Sequence, residues 1–216
     1  MRTPVVIDGL HLRWFVPPKL GETVHWGLAW NSASPRRWAA LEPKWSQTAD
    51  VRASSKLLMR RLTAGPKADV LAQPSIGRAG ALQFMFNADL PVPAQIAVSG
   101  ALTLVAGTPR KNVAARQMWA DFDSDAITVG VIRRLRLVSI ASDMLPNARL
   151  PHGSNWGWAS RQFVSGTERV YELAHPPDTL ASYQLTDRVN GLHRESFLLV
   201  DLETARRPDR KTRCTR

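Results

Sequence analysis

Residues Glu22 to Trp30 alternate strictly, with Val24, Trp26, Leu28 and Trp30 on one face and Thr23, His25, Gly27 and Ala29 on the other. A period of two over nine residues predicts a strand with one face buried. Val5-Val6-Ile7, ended by Asp8-Gly9, predicts a short strand and turn before it. Leu10 to Val16 predicts a second extended run, and Pro17 to Gly21 a turn. Further along, Leu82, Phe84 and Phe86 alternate, Pro91-Val92-Pro93 interrupts, and Gln95 to Val105 resumes with Ile96, Val98, Leu102 and Leu104. Gln117 to Phe122 reads as a shorter strand and Ala126 to Ile140 as a long one. In the long strand the apolar phase shifts between Ile127, Val129, Val131 and Leu135, Leu137, which predicts a bulge or bend at Arg133-Arg134. Gln162 to Leu173 predicts a hairpin turning at Gly166, and His193 to Leu202 the last strand.

One stretch breaks the pattern. From Asn31 to Arg78 alternation stops, and Pro35, Pro43, Pro66 and Pro74 punctuate a segment rich in Ser, Ala and Arg, which predicts an excursion from the sheet. Within it, Ala49 to Leu62 predicts an amphipathic helix. Val51, Leu58 and Leu62 lie on one side with Leu57 beside them, Arg52, Lys56 and Arg60 stand four apart on another, and Gly65-Pro66 ends it. The fold class expected is mainly β: an antiparallel barrel or sandwich, possibly two small barrels, with an inserted helical, basic excursion. The expected organisation is a single β-rich domain over 1–205 with an insertion at 31–80 and a basic disordered tail at 206–216. Regular helices do not separate the strands, so a parallel α/β fold is disfavoured.

Composition adds a compartment and a charge map. Hydrophobic residues at 44% and charged residues at 22% are ordinary for a packed chain of 216 residues, which rules against disorder of the whole. The single cysteine, Cys214, permits no internal disulfide, and Asp8 cuts the first apolar run short of a secretory h-region. A cytoplasmic protein without a signal peptide or membrane span is expected. The net charge of +11 is uneven: residues 1–30 carry +1, 31–80 carry +6, 81–205 carry −1 and 206–216 carry +5. The basicity is appended to a nearly neutral strand-rich body. It can attract phosphates through counterion release, or it can be solvated surface and frayed end.

The chemical signatures are sparse. Neither a phosphate-binding G-x-x-x-x-G-K-[ST] nor a G-x-G-x-x-G occurs. Gly153-Ser154-Asn155-Trp156-Gly157 places its serine one position early for a nucleophile elbow. Asp121-Phe122-Asp123-Ser124-Asp125 starts like a calcium loop but has Ala126 at the sixth position and Ile132 at the twelfth, so an acidic turn between strands is the expectation. The histidines His11, His25, His152, His175 and His193 show no i, i+4 pairing. No catalytic residue, metal ligand or cofactor is assigned.

Two constellations remain. Trp38 follows Arg36-Arg37 and Trp45 follows Lys44; indoles beside cations are what single-stranded nucleic-acid binders use. With Arg52, Lys56, Arg60, Arg133, Arg134 and Arg136 they form the candidate nucleic-acid-binding set, against which stands the plain role of a tryptophan pinning a loop to the core. His152, Ser154, Trp156 and Trp158 form the candidate pocket, against which stands a Trp-anchored loop on the barrel end.

Three segments, Gly21-Glu22-Thr23-Val24-His25-Trp26, Thr128-Val129-Gly130-Val131-Ile132-Arg133-Arg134-Leu135-Arg136 and Phe197-Leu198-Leu199-Val200-Asp201-Leu202-Glu203, together resemble a family of small bacterial proteins of unknown function over about a fifth of the chain. That resemblance implies no activity, site or cofactor. Three functions therefore stand open. The first expected is a non-enzymatic β-barrel interaction module with an unspecified, most plausibly protein, partner. The others are an RNA- or DNA-binding protein using segment 31–80 and the tail, and an enzyme with its site near His152.

Overall fold

The computed structural model describes residues 1–31, 45–54, 72–144, 161–178, 180 and 193–204. Its strands are β1 (Arg2–Ile7), β2 (Thr23–Ala29), β3 (Ser46–Ala53), β4 (Ala72–Ala79), β5 (Leu82–Asp89), β6 (Gln95–Ser99), β7 (Leu102–Ala106), β8 (Ile127–Met144), β9 (Arg161–Phe163), β10 (Arg169–Glu172) and β11 (His193–Thr204). Two short helices, α1 (Gly9–Trp14) and α2 (Val113–Asp121), and a 3-10 turn (Ser124–Ala126) accompany them.

Five strands close into a barrel in the order β8, β11, β1, β7, β2 and back to β8. Every pairing in the ring is antiparallel except β1 with β7. Closure leaves these strands no free edge. The alternation that marks β2 turns Val24, Trp26 and Leu28 inward, where they meet Val5, Ile7, Leu102, Leu104, Ile132, Leu135, Leu198 and Val200 in one core. The ring holds a single parallel pair, β1 with β7, and α1 lies between β1 and β2.

The remaining strands build outward from β2. β5, β4, β3 and β6 form an antiparallel sheet, and β5 lies parallel to β2 through Ala29 and Met85, with Trp30 N donating to the Met85 carbonyl at 2.9 Å. Gly100, at φ 83°, turns the corner from β6 into β7, and the Trp30 indole N–H donates to the Ser99 carbonyl at 3.1 Å beside it. The added sheet thus returns to the barrel it left, and Ala49, Leu82, Phe84, Phe86 and Val98 join the barrel core.

β8 serves four neighbours. Its first residues pair with β2, its whole length from Gly130 to Ser142 pairs with β11, and beyond the barrel β10 and β9 take the edge that β2 left. The phase shift read from the sequence is a register slip: Asp201 faces Arg134 while Leu202 faces Ile132, leaving Arg133 as the extra residue of a bulge. The outward side of this extension is buried too, under a second cluster of Val6, Val138, Ile140, Phe197 and Leu199 against which Phe163 packs.

Five expectations are corrected. Leu10 to Val16 is not extended: the Asp8 carboxylate accepts from His11 N and caps α1, which covers the barrel end with Leu12 and Phe15. Gln117 to Phe122 is not a strand but the end of α2, capped by Asn112. Ser46–Ala53 is strand β3, so the helix expected over Ala49 to Leu62 does not form across its first turn, and Arg52 stands on a strand; residues 55–62 lie outside the described residues. β3 and β4 also place much of 31–80 inside the sheet. Finally, β9 and β10 do not pair with each other; both run antiparallel to β8, end to end, with Gly166 at φ 81° in the loop between them.

Because β1 and β7 are parallel, the segments that follow them leave at the same end. Val16 N donates to the Thr108 carbonyl at 2.9 Å and Arg110 N to the Trp14 carbonyl at 2.8 Å, which joins the exit of α1 to the approach of α2.

Gly77 lies directly across from Phe84, and a Cβ at Gly77 would stand 2.3 Å from the Phe84 ring. The ring therefore lies over bare backbone. Replacing Gly77 by Val is expected to destabilise the protein by about 1–3 kcal/mol through overpacking, read by urea unfolding. Adding Phe84→Leu should recover part of the loss in a double-mutant cycle; additive losses would show that the ring is not the obstacle.

Candidate functional site

The three candidate arginines of β8 project around the bulge, and each meets a carboxylate. Arg133 Nε donates to Glu203 at 2.5 Å, Arg134 Nε to Glu172 at 2.8 Å, and Arg136 pairs with Asp201. The register explains the pairing: β11 and β10 flank β8, and their acidic residues fall beside its basic ones. The Arg134 hydrogen bond holds the Glu172 carboxyl below its ordinary value, and the Arg133 hydrogen bond and charge do the same for Glu203. Arg136 is only 7% exposed, lying among the outer apolar cluster, which takes it out of reach of a phosphate. This row is an ion-pair lattice on the barrel wall.

Arg52 and Trp45 have structural partners as well. Arg52 Nη2 donates to Asp125 Oδ2 at 2.7 Å, while Ser54 Oγ donates to the buried Asp123 at 2.6 Å. Asp123 also accepts from Asp125 N at 3.0 Å, capping the 3-10 turn. The acidic stretch is thus a clamp between the end of β3 and the start of β8, with Asp121 bonded to Gln117 instead. No group of three or more metal-ligating side chains occurs among the described residues. Trp45 packs against the main core with its indole nitrogen buried, the anchoring role. Arg36, Arg37, Trp38, Lys44, Lys56 and Arg60 lie outside the described residues, as do His152, Ser154, Trp156 and Trp158.

Two features escaped sequence reading. Asp8 Oδ1 lies 2.8 Å from His11 Nδ1, and the imidazole stacks on Phe15 and meets Trp14 edge-on. Burial pushes the Asp8 carboxyl up, but the His11 side-chain bond and charge, with backbone donors from His11 and Leu10, outweigh it and hold the group below its ordinary value. The signal available was Asp8 three residues before His11, at capping distance. The second is a shallow depression of about 230 Å³ lined by Val16, Pro17, Lys19, His175, Pro176 and Asp178. Arg110 fastens its rim, donating to the Phe15 carbonyl at 2.9 Å and to the Asp178 carbonyl at 3.3 Å.

The charge map sharpens along the chain. The described stretches contain 14 Lys and Arg and 14 Asp and Glu, so the whole excess of +11 belongs to residues 32–44, 55–71, 145–160, 179, 181–192 and 205–216. Among the described residues no helix is long and apolar enough to cross a membrane. No family model, curated protein or solved structure matches the chain.

The lattice and the dyad each generate a measurable outcome. Asp201→Ala leaves the buried Arg136 guanidinium without its carboxylate and is expected to cost about 3–5 kcal/mol in urea unfolding, against a much smaller loss for Arg133→Gln at the exposed pair. Equal losses would remove the distinction between the two pairs. For Asp8 the folded value is depressed, so its contribution is present above the unfolded carboxylate range, about 4, and is lost as pH falls through the folded value. Asp8→Asn keeps a capping side chain and should flatten the acid limb of stability below about pH 4; an unchanged limb would show that other carboxylates dominate it.

Proposed function

We propose that the protein is a β-barrel interaction module that binds nucleic acid, with the barrel as a charge-balanced scaffold and the basic segments as the source of affinity. The observation that carries this is the segregation of charge: equal numbers of acidic and basic residues in the described stretches, with the entire +11 outside them. Arg133, Arg134 and Arg136 on the barrel wall are matched by carboxylates through strand register. A basic excess concentrated in a few stretches of the sequence serves phosphate attraction, where each neutralised phosphate releases counterions. Residues 32–44 and 55–71 combine seven Lys and Arg with Trp38, and residues 205–216 add six more. A closed five-stranded barrel hosts many functions besides oligonucleotide binding, so the fold is compatible with this function and does not select it.

The test is fluorescence anisotropy of labelled single-stranded and duplex oligonucleotides over a salt series. The logarithm of affinity should fall linearly with the logarithm of salt, by about 0.7 per contacted phosphate for single strands and about 0.9 for duplex. Neutralising Arg36, Arg37, Lys44, Lys56 and Arg60 with Gln should reduce that slope, while Arg133→Gln with Arg134→Gln should leave it unchanged. Absence of binding at low salt would reject nucleic-acid binding and leave a protein-binding module.

A further inference from the structure

Among the described residues Lys19, Lys111 and Arg116, like Arg2 on β1 and Arg169 on β10, enter no ion pair and no side-chain hydrogen bond, in contrast to Arg52, Arg133, Arg134 and Arg136. The first three lie at one end of the barrel. Lys111 adjoins Arg110, whose backbone bonds Trp14 and whose guanidinium holds the Phe15 carbonyl. Arg116 stands on the first turn of α2, just beyond. Lys19 lines the depression that begins at Val16, which is itself bonded to Thr108. All three therefore sit at the end of the barrel that carries α1 and α2. The carboxylates nearby form no ion pair with them: Glu22 accepts from the backbone N–H of Lys19 at 3.0 Å, and Asp178 meets Arg110 through its backbone carbonyl.

Arg116 and Trp119 are three apart on α2, hence neighbours on one side of the helix, and Trp119 is partly exposed. A guanidinium beside an accessible indole offers a phosphate contact and a stacking surface at nucleotide reach, a combination that fits single-stranded nucleic acid better than a simple anion or a lipid headgroup. The basic residues of 31–80 and the tail drew attention in the sequence because they are clustered there; Lys19, Lys111 and Arg116 are brought together only by the parallel β1–β7 pair.

Resting on the nucleic-acid function proposed above, we infer that the helix-bearing end of the barrel is an ordered docking surface for a single-stranded nucleic acid, with Lys19, Lys111 and Arg116 on its phosphates and Trp119 against a base. The experiment compares the full chain with K19Q/K111Q/R116Q, with W119L, and with the five-residue neutralisation of the basic segments, using labelled oligothymidylate, a duplex of equal length and phosphatidylserine vesicles. The triple variant is expected to bind oligothymidylate about tenfold more weakly and with a salt slope lower by about two. W119L should weaken single-strand binding about fivefold or more and duplex binding less. Unchanged circular dichroism and unfolding midpoint are expected, since the three cations are exposed.

Wild-type affinity in the triple variant, with loss only in the segment variant, would overturn this surface and leave the proposed function standing. No oligonucleotide binding by the unaltered protein at low salt would overturn both. Loss of vesicle binding in the triple variant with oligonucleotide binding intact would assign the surface to anionic lipid and overturn the inference.

Discussion

The pairing of β8 with β11 over twelve residue positions holds the molecule together, because β8 must also close the barrel against β2 and carry β10 beyond it. A strand that changes partners on one edge while keeping one partner on the other has to bend, and the bulge at Arg133 supplies the bend. The bulge also sets the chemistry of the wall. On one side of the slip the outward residue opposite Val131 is Glu203, on the other Asp201 stands opposite Arg134, and the arginines that crowd the bend find carboxylates on both flanks. Geometry and charge balance come from the same residue insertion.

The two sheets share a core through β2 and β7. Trp26 and Leu28 face the barrel interior, while Trp30, one step beyond the strand, packs at the added sheet and bonds Ser99 at the corner. Phe84 and Phe86 lie 6.0 Å apart, and the Phe86 ring meets Trp30 edge-on at 6.2 Å, so the aromatic residues link the two halves. The polar clamp from Ser54 and Arg52 to Asp123 and Asp125 ties the far strand β3 back to the beginning of β8.

What the sequence disclosed follows from how strongly each signal was encoded. The β2 alternation and the β8 phase shift survived because each spans enough residues to define a period of two. α1 and α2 were missed because six and nine residues are too few for a helical period to stand out; their caps, Asp8 and Asn112, were the readable signals. β3 was missed because Ser46 to Ala53 has little strand propensity of its own, and its place between β4 and β6 decides its conformation. The excess charge was legible as composition. The unpaired cations at the helix end were not, because residues 19, 111 and 116 meet only through a parallel pairing that no local pattern announces.

The antiparallel contact of Arg2–Ile7 with Leu198–Glu203 joins residues almost two hundred positions apart. During synthesis β3, β4, β5 and β6 are complete and can pair among themselves long before β11 exists, whereas β1 has one edge open until the ribosome has delivered the last strand. Barrel closure is therefore a late, high-contact-order event with a large loop entropy to overcome. Until then an apolar strand of Val5, Val6 and Ile7 stands exposed to other chains, so the yield of folded protein depends on keeping that edge unoccupied until its own partner arrives.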